Sequence, residues 1–182
     1  MGIAAGLLAF GAARLLGAQW QPACAALALT TGLAVVTLVD ARSFIIPDII
    51  SLPLIPLGLL ASGSWVHSDS SHIVEPAHWL GATLPPLLLY AFGEAYRALR
   101  GRVGLGLGDV KLIAAGGAWV GLDAAPLVLS LAAASALTIA AAHHAVRRGD
   151  VVALLGTRMA FGLYLAPAIW VVWMARTLLF NS

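Results

Sequence analysis

The chain has 182 residues, is 61% hydrophobic and only 10% charged, where a soluble domain carries roughly 25% charged residues. That composition excludes a water-soluble globule and describes an integral membrane protein, read as one bundle over residues 1–182. A formal net charge of +2 argues against a nucleic-acid partner, and the single cysteine, Cys24, excludes an intrachain disulfide or a cysteine zinc cluster.

Seven apolar segments follow in chain order, at residues 2–18, 22–40, 46–66, 77–99, 108–121, 125–145 and 158–179. Apolar runs near 20 residues are long enough to cross the hydrocarbon core. The fifth is short for a span and fits a re-entrant or buried helix. Pro53, Pro56, Pro85 and Pro86 fall inside segments, which membrane helices tolerate as kinks. The prediction is an all-α, polytopic transmembrane bundle of about six or seven helices. The first segment lacks a basic flank and leads straight into a second span, so no cleavable signal is expected.

The connections differ in charge. Residues 67–76 carry Asp69 and Glu75 but no Lys or Arg, whereas Arg42, Arg97, Arg100, Arg102, Lys111, Arg147, Arg148 and Arg158 collect on the other side, eight of the ten basic residues. The positive-inside rule places that side in the cytoplasm. Arg14 and Arg176 do not fit. Trp20, Trp65, Trp79, Trp119 and, more loosely, Trp173 fall toward the outer ends of their segments, as interfacial tryptophans do. Of the histidines, His67, His72 and His78 lie near the outer loop and His143 and His144 near an inner end; interfacial roles suit them, since adjacent histidines face different sides of a helix.

Two carboxylates stand at the basic edge of apolar segments. Asp40 ends the second, in Val39-Asp40-Ala41-Arg42, and Asp109 follows the glycine block Gly104-Leu105-Gly106-Leu107-Gly108. Each has a plain reading: Asp40 as an interfacial charge paired with Arg42, Asp109 as a helix N-cap. Asp48, after Pro47, reads as another N-cap, and Glu94 is spaced for a helix salt bridge with Arg97. Together, however, Asp40 and Asp109 can share one proton, so that one form activates a water while its partner polarises a carbonyl. Such peptide hydrolysis needs no metal or cofactor, and the chain has neither a His-Glu-x-x-His motif nor a Gly-x-Ser-x-Gly elbow. A protease of presenilin type, cutting within a spanning helix, and a non-catalytic proton-coupled carrier with the aspartates as relay groups use the same pair.

At these residues the chain resembles the type IV prepilin peptidases. Leu38 to Asp48, followed by Ser51-Leu52-Pro53-Leu54, looks like the family's first aspartate block. Gly104 to Leu112, then Gly117-Ala118-Trp119-Val120-Gly121, looks like the second, and Phe161-Gly162-Leu163-Tyr164-Leu165-Ala166-Pro167 is similar to its C-terminal helix segment. The resemblance implies a Gly-x-Gly-Asp membrane aspartic endopeptidase of the bacterial inner membrane, serving type IV pili or type II secretion, with Asp40 and Asp109 catalytic. Gly106, Gly108, Asp48 and Lys111 are expected at substrate-binding or loop positions beside them. The implied partners are membrane lipid and a prepilin or pseudopilin, whose short basic leader precedes an apolar helix and is cut at the cytoplasmic face. Longer members carry an N-terminal four-cysteine domain and also methylate the new N-terminus from S-adenosylmethionine. This chain has one cysteine and begins at what looks like the span after that domain, so the expected activity is peptidase alone. Val103 stands where the family often has a glutamate.

Overall fold

The computed structural model describes residues 20–65, 76–101, 105–147 and 161–180. The first apolar segment, the acidic connection with His67 and His72, and Arg14, Arg102, Val103, Gly104, Arg148 and Arg158 lie outside these residues, as do the side chains of Trp20, Trp65, His143, His144 and Arg147. Six helices and no strand form among the described residues: α1 (Trp20–Ser43), α2 (Asp48–Trp65), α3 (Pro76–Arg100), α4 (Leu107–Val120), α5 (Ala125–Arg147) and α6 (Gly162–Phe180). Three contain stretches long and apolar enough to cross a membrane, Cys24–Ser43, Ala125–Ala142 and Gly162–Leu179. The protein is an all-α membrane bundle.

The prolines stay inside their helices: Pro53 and Pro56 in α2, Pro85 and Pro86 in α3, Pro167 in α6. Large apolar side chains point outward, among them Leu87, Leu88 and Phe92 of α3 and Leu137 and Ile139 of α5. In water so much exposed apolar surface would be a liability; on a membrane bundle it is the ordinary exterior.

The short fifth segment becomes the axis of the fold. Helix α4 has 14 residues, about 21 Å at 1.5 Å per residue, well short of a hydrocarbon core of roughly 30 Å. It packs against α2, α3, α5 and α6, and every residue from Leu112 to Val120 is buried. Small residues permit this. A Cβ on Gly117 would stand 1.8 Å from the Gly81 carbonyl oxygen of α3, and one on Gly58 of α2 would stand 2.5 Å from Trp119 Cδ1. Backbones of membrane helices approach closely at such positions and gain their packing there.

At the end of the bundle where α4 stops, polar groups knit the helices together. Trp119 is not an interfacial anchor: it is buried, stacks edge-on with Trp173 at 5.9 Å, and donates from Nε1 to the Leu54 carbonyl at 2.8 Å. His78 is also buried rather than interfacial, its Nδ1 3.0 Å from the Ala118 carbonyl. Gly121 ends α4 with φ +80°, a conformation that favours glycine. Arg176, one of the two arginines that did not fit the expected charge bias, is held by Asp123 at 2.7 Å and donates to the Val120 carbonyl. A cation placed in this way caps the end of α4. Burial alone would raise the Asp123 carboxyl, but the hydrogen bond and charge of Arg176 hold it below the usual value.

Candidate active site

The opposite end of α4 gathers the sequence-predicted carboxylates. Asp40 lies in the last turn of α1. The helix stops at Phe44, which adopts φ 54° and donates its N–H to the Asp40 carbonyl at 2.9 Å. This is a left-handed helix stop, made by a bulky residue at a cost of about 1–2 kcal/mol. Asp40 is 3% exposed and is not paired with Arg42. Instead its Oδ2 accepts the Leu163 N–H at 2.9 Å, with Gly162 as a second backbone donor. Those groups are among the free donors at the start of α6, which favour an anion. Only glycine fits at 162: a Cβ would sit 2.8 Å from both Asp40 Oδ2 and Ile46 Cδ1.

Asp109 stands in the first turn of α4, outside the three membrane-crossing helices. It is not the N-cap. Gly106 occupies that position, in extended conformation (φ −78°, ψ 143°). Its carbonyl accepts the N–H groups of Asp109 and Val110 at 3.1 and 3.4 Å, and its own N–H reaches back to the Asp109 carboxylate. This is the return half of a capping box, made from the third helical residue. Burial, and then the negative charge of Asp40, push the Asp109 carboxyl up to about 6.

Ile46 joins the two sides. It is buried, and a Cβ on Gly108 would stand 2.9 Å from its Cβ, just as one on Gly162 would meet its Cδ1. Gly108 and Gly162 are therefore small because this side chain, wedged between the strands of backbone that carry Asp109 and hold Asp40, needs the room. Neither Ile46 nor Gly162 was given a role by sequence reasoning. The signal for Gly162 lay in the Phe161–Pro167 similarity; Ile46 offered none beyond its place in the first block.

Asp48 and Lys111 come together in an ion pair between the starts of α2 and α4. Asp48 is the first residue of α2, where it does not act as a side-chain cap; the N–H groups of Ile50 and Ser51 go to the Pro47 carbonyl. Its carboxylate binds Lys111 Nζ at 2.7 Å, tying α2 to α4 and engaging the single lysine of the chain. Glu94 and Arg97 form the expected exposed pair at 3.4 Å. Neither Asp40 nor Asp109 has a Lys or Arg within ion-pair distance among the described residues. Two coupled carboxylates served only by backbone N–H groups can hold one proton between them, which is the state that activates water.

Residues 27–142 match the type IV leader peptidase family. The chain is 33% identical over 169 residues to a protein of Stutzerimonas stutzeri, 93% of this chain and 55% of the relative. It is 33% identical over 155 residues to one of Pseudomonas aeruginosa, 85% and 50%. It is 36% identical over 165 residues to one of Pectobacterium carotovorum, 88% and 54%. Each relative is named a prepilin leader peptidase/N-methyltransferase, and the chain spans about half their length. No solved structure matches it.

Proposed function

The chain belongs to the type IV leader peptidase family, and from that premise we propose that it is an aspartic endopeptidase that removes the leaders of type IV prepilins or pseudopilins. The work is done at the cytoplasmic face of the bacterial inner membrane, by a single peptidase domain over residues 1–182. The observation that carries this reading is that Asp40, from the last turn of α1, comes near enough to Asp109, in the first turn of α4, for its charge to raise the Asp109 carboxyl, with buried Ile46 packed against Gly108 and Gly162 beside them. The relatives' second named activity, methyl transfer, is not part of the proposal.

In the proposed reaction the pair holds one proton. The ionised carboxylate takes a proton from a water, whose oxygen attacks the scissile carbonyl carbon. The protonated partner donates to the carbonyl oxygen as negative charge develops there. Collapse of the tetrahedral diol breaks the C–N bond: the amine leaves with a proton from the acid that received one, and a diol hydroxyl returns its proton to the other carboxylate as the C=O bond re-forms. The products are a leader carboxylate and a free N-terminus, and the pair regains its single proton. The basic leader stays at the cytoplasmic surface, and the apolar helix of the substrate remains in the lipid that bathes the outer leucines.

The test is cleavage of type IV prepilins by the purified protein beside Asp40→Asn, Asp48→Asn and Asp109→Asn. We expect the wild type and Asp48→Asn to cut after the leader and the other two to be inactive. A folded wild type that cuts none of several prepilins overturns the function; a dead Asp48→Asn with an active Asp40→Asn overturns the choice of first aspartate.

A further inference from the structure

A groove of about 340 Å³ runs between the C-terminal half of α3 and the start of α4, lined by Leu89, Gly93, Glu94, Leu105, Gly106 and Val110 among others. That is at the lower end of clefts that hold ligands, roughly 300–1,000 Å³. Its inner wall is formed by Leu105, Gly106 and Leu107. Gly106 lines it, and a Cβ on Gly106 would stand 3.3 Å from Asp109 Oδ2, so chain lying in the groove is separated from the Asp109 carboxylate by a single residue of bare backbone. Its depth comes from Gly93, where a Cβ would reach Leu105 Cβ at 3.5 Å. Its rim carries the exposed side chains of Tyr90 and Leu107.

Charge decides what fits. Among the described residues, Glu94 and Arg97 are the only charged side chains that line it, and they are paired with each other. The remaining lining is apolar apart from the Tyr90 hydroxyl. A basic leader finds no free anion here, whereas an uncharged apolar segment finds matching walls and loses little by leaving lipid. We propose that this groove is the subsite for the first apolar residues of the substrate's helix, those beside the scissile bond, with Gly93 as the residue that sets how bulky they can be. The proposal rests on the peptidase reading above and adds a substrate subsite to it.

Crosslinking tests it directly. In a Cys24→Ala, Asp109→Asn background, Gly93→Cys should form a disulfide with a prepilin carrying a cysteine at the start of its apolar helix, and not with one whose cysteine lies in the leader. Phe92→Cys, on an exposed neighbouring face of α3, should form neither. In the active enzyme, Gly93→Leu should raise KM for prepilin at least tenfold, and Gly93→Ala, whose Cβ meets only ordinary contact distances, no more than a few-fold. The subsite is overturned if wild type cuts prepilin while Gly93→Cys captures the leader, or neither segment, or no more than Phe92→Cys does. It is also overturned by a folded Gly93→Leu with unchanged KM, which would leave the groove to a lipid chain. A wild type that cuts no prepilin defeats the peptidase reading, and the subsite with it.

Discussion

The two ends of α4 use the same kinds of side chain to opposite ends. Where α4 stops, Asp123 meets Arg176, Arg176 meets the Val120 carbonyl, and His78 meets the Ala118 carbonyl. Each polar group there has a complementary partner, and the result is a clasp. Where α4 starts, Asp40 and Asp109 have backbone N–H groups and each other, while the single lysine of the chain is engaged by Asp48. Complementary pairing satisfies a buried charge; like charges brought together leave a proton to be shared, and perturbed groups of that kind mark reactive sites. The contrast teaches that burial of an acid in this bundle says little about its job until its partner is known.

The largest expected effect separates the ends by rate. Asp40→Asn and Asp109→Asn should each lower prepilin cleavage by at least 10²–10⁴-fold, the usual worth of a general acid or base. Asp123→Asn should leave the rate per folded molecule unchanged. Assayed together, equal losses at all three aspartates would erase the distinction between the ends. Next comes Gly117→Ala, which drives a methyl into the Gly81 carbonyl. Overpacking of this kind costs about 1–3 kcal/mol or more, and thermal unfolding in detergent should show a lower Tm with a similar loss of folded yield.

A smaller loss is expected of Arg176→Gln, which leaves the Val120 carbonyl and Asp123 without their guanidinium, about 1–3 kcal/mol for an orphaned buried acceptor. Its Tm should fall while kcat per folded molecule stays level. The ends should also answer pH with opposite sign. Asp109 has a raised folded value, about 6 against 3.8, so the folded protein binds the extra proton and loses stability as pH rises through that window. Asp109→Asn should therefore gain Tm over wild type between pH 4 and 7. Asp123 is lowered, so its contribution is present above 3.8 and lost as pH falls through the depressed value; the Tm deficit of Asp123→Asn should vanish in acid. Parallel shifts in the two variants would contradict both assignments. Least of all should change in Asp48→Asn, where an exposed ion pair is worth about 0–1 kcal/mol and cleavage should persist.

The sequence carried the membrane character and the prolines within helices, and it singled out Asp40 and Asp109 as costly charges beside apolar runs, because these are local signals. It misread the partners. Asp40 looked tied to Arg42 by proximity in the chain, yet folding supplies the start of α6 instead. Asp109 and Asp48 both followed turn-forming residues and so resembled N-caps, but Gly106 and Pro47 take the turn. Trp119 and His78 had the positions of interfacial residues, and only the depth of α4 in the bundle turns them inward. Gly81 and Gly117 are separate glycines in the chain and become one contact only when α3 crosses α4. Each miss concerns a long-range neighbour, which composition and period cannot name.

The brevity of α4 has a consequence for how the protein is made. During membrane insertion each span must partition on its own merit, and α4 is both too short to cross alone and charged in its first turns. A 14-residue segment carrying Asp109 and Lys111 is a poor passenger alone. It has to be drawn in by α2 and α3, already inserted ahead of it, and sealed by α5 and α6 as they follow. Leu163 and Gly162, which hold Asp40, arrive only with α6. The nascent chain therefore cannot give Asp40 its backbone donors until α6 is in place, and the carboxylate site closes only with the fold.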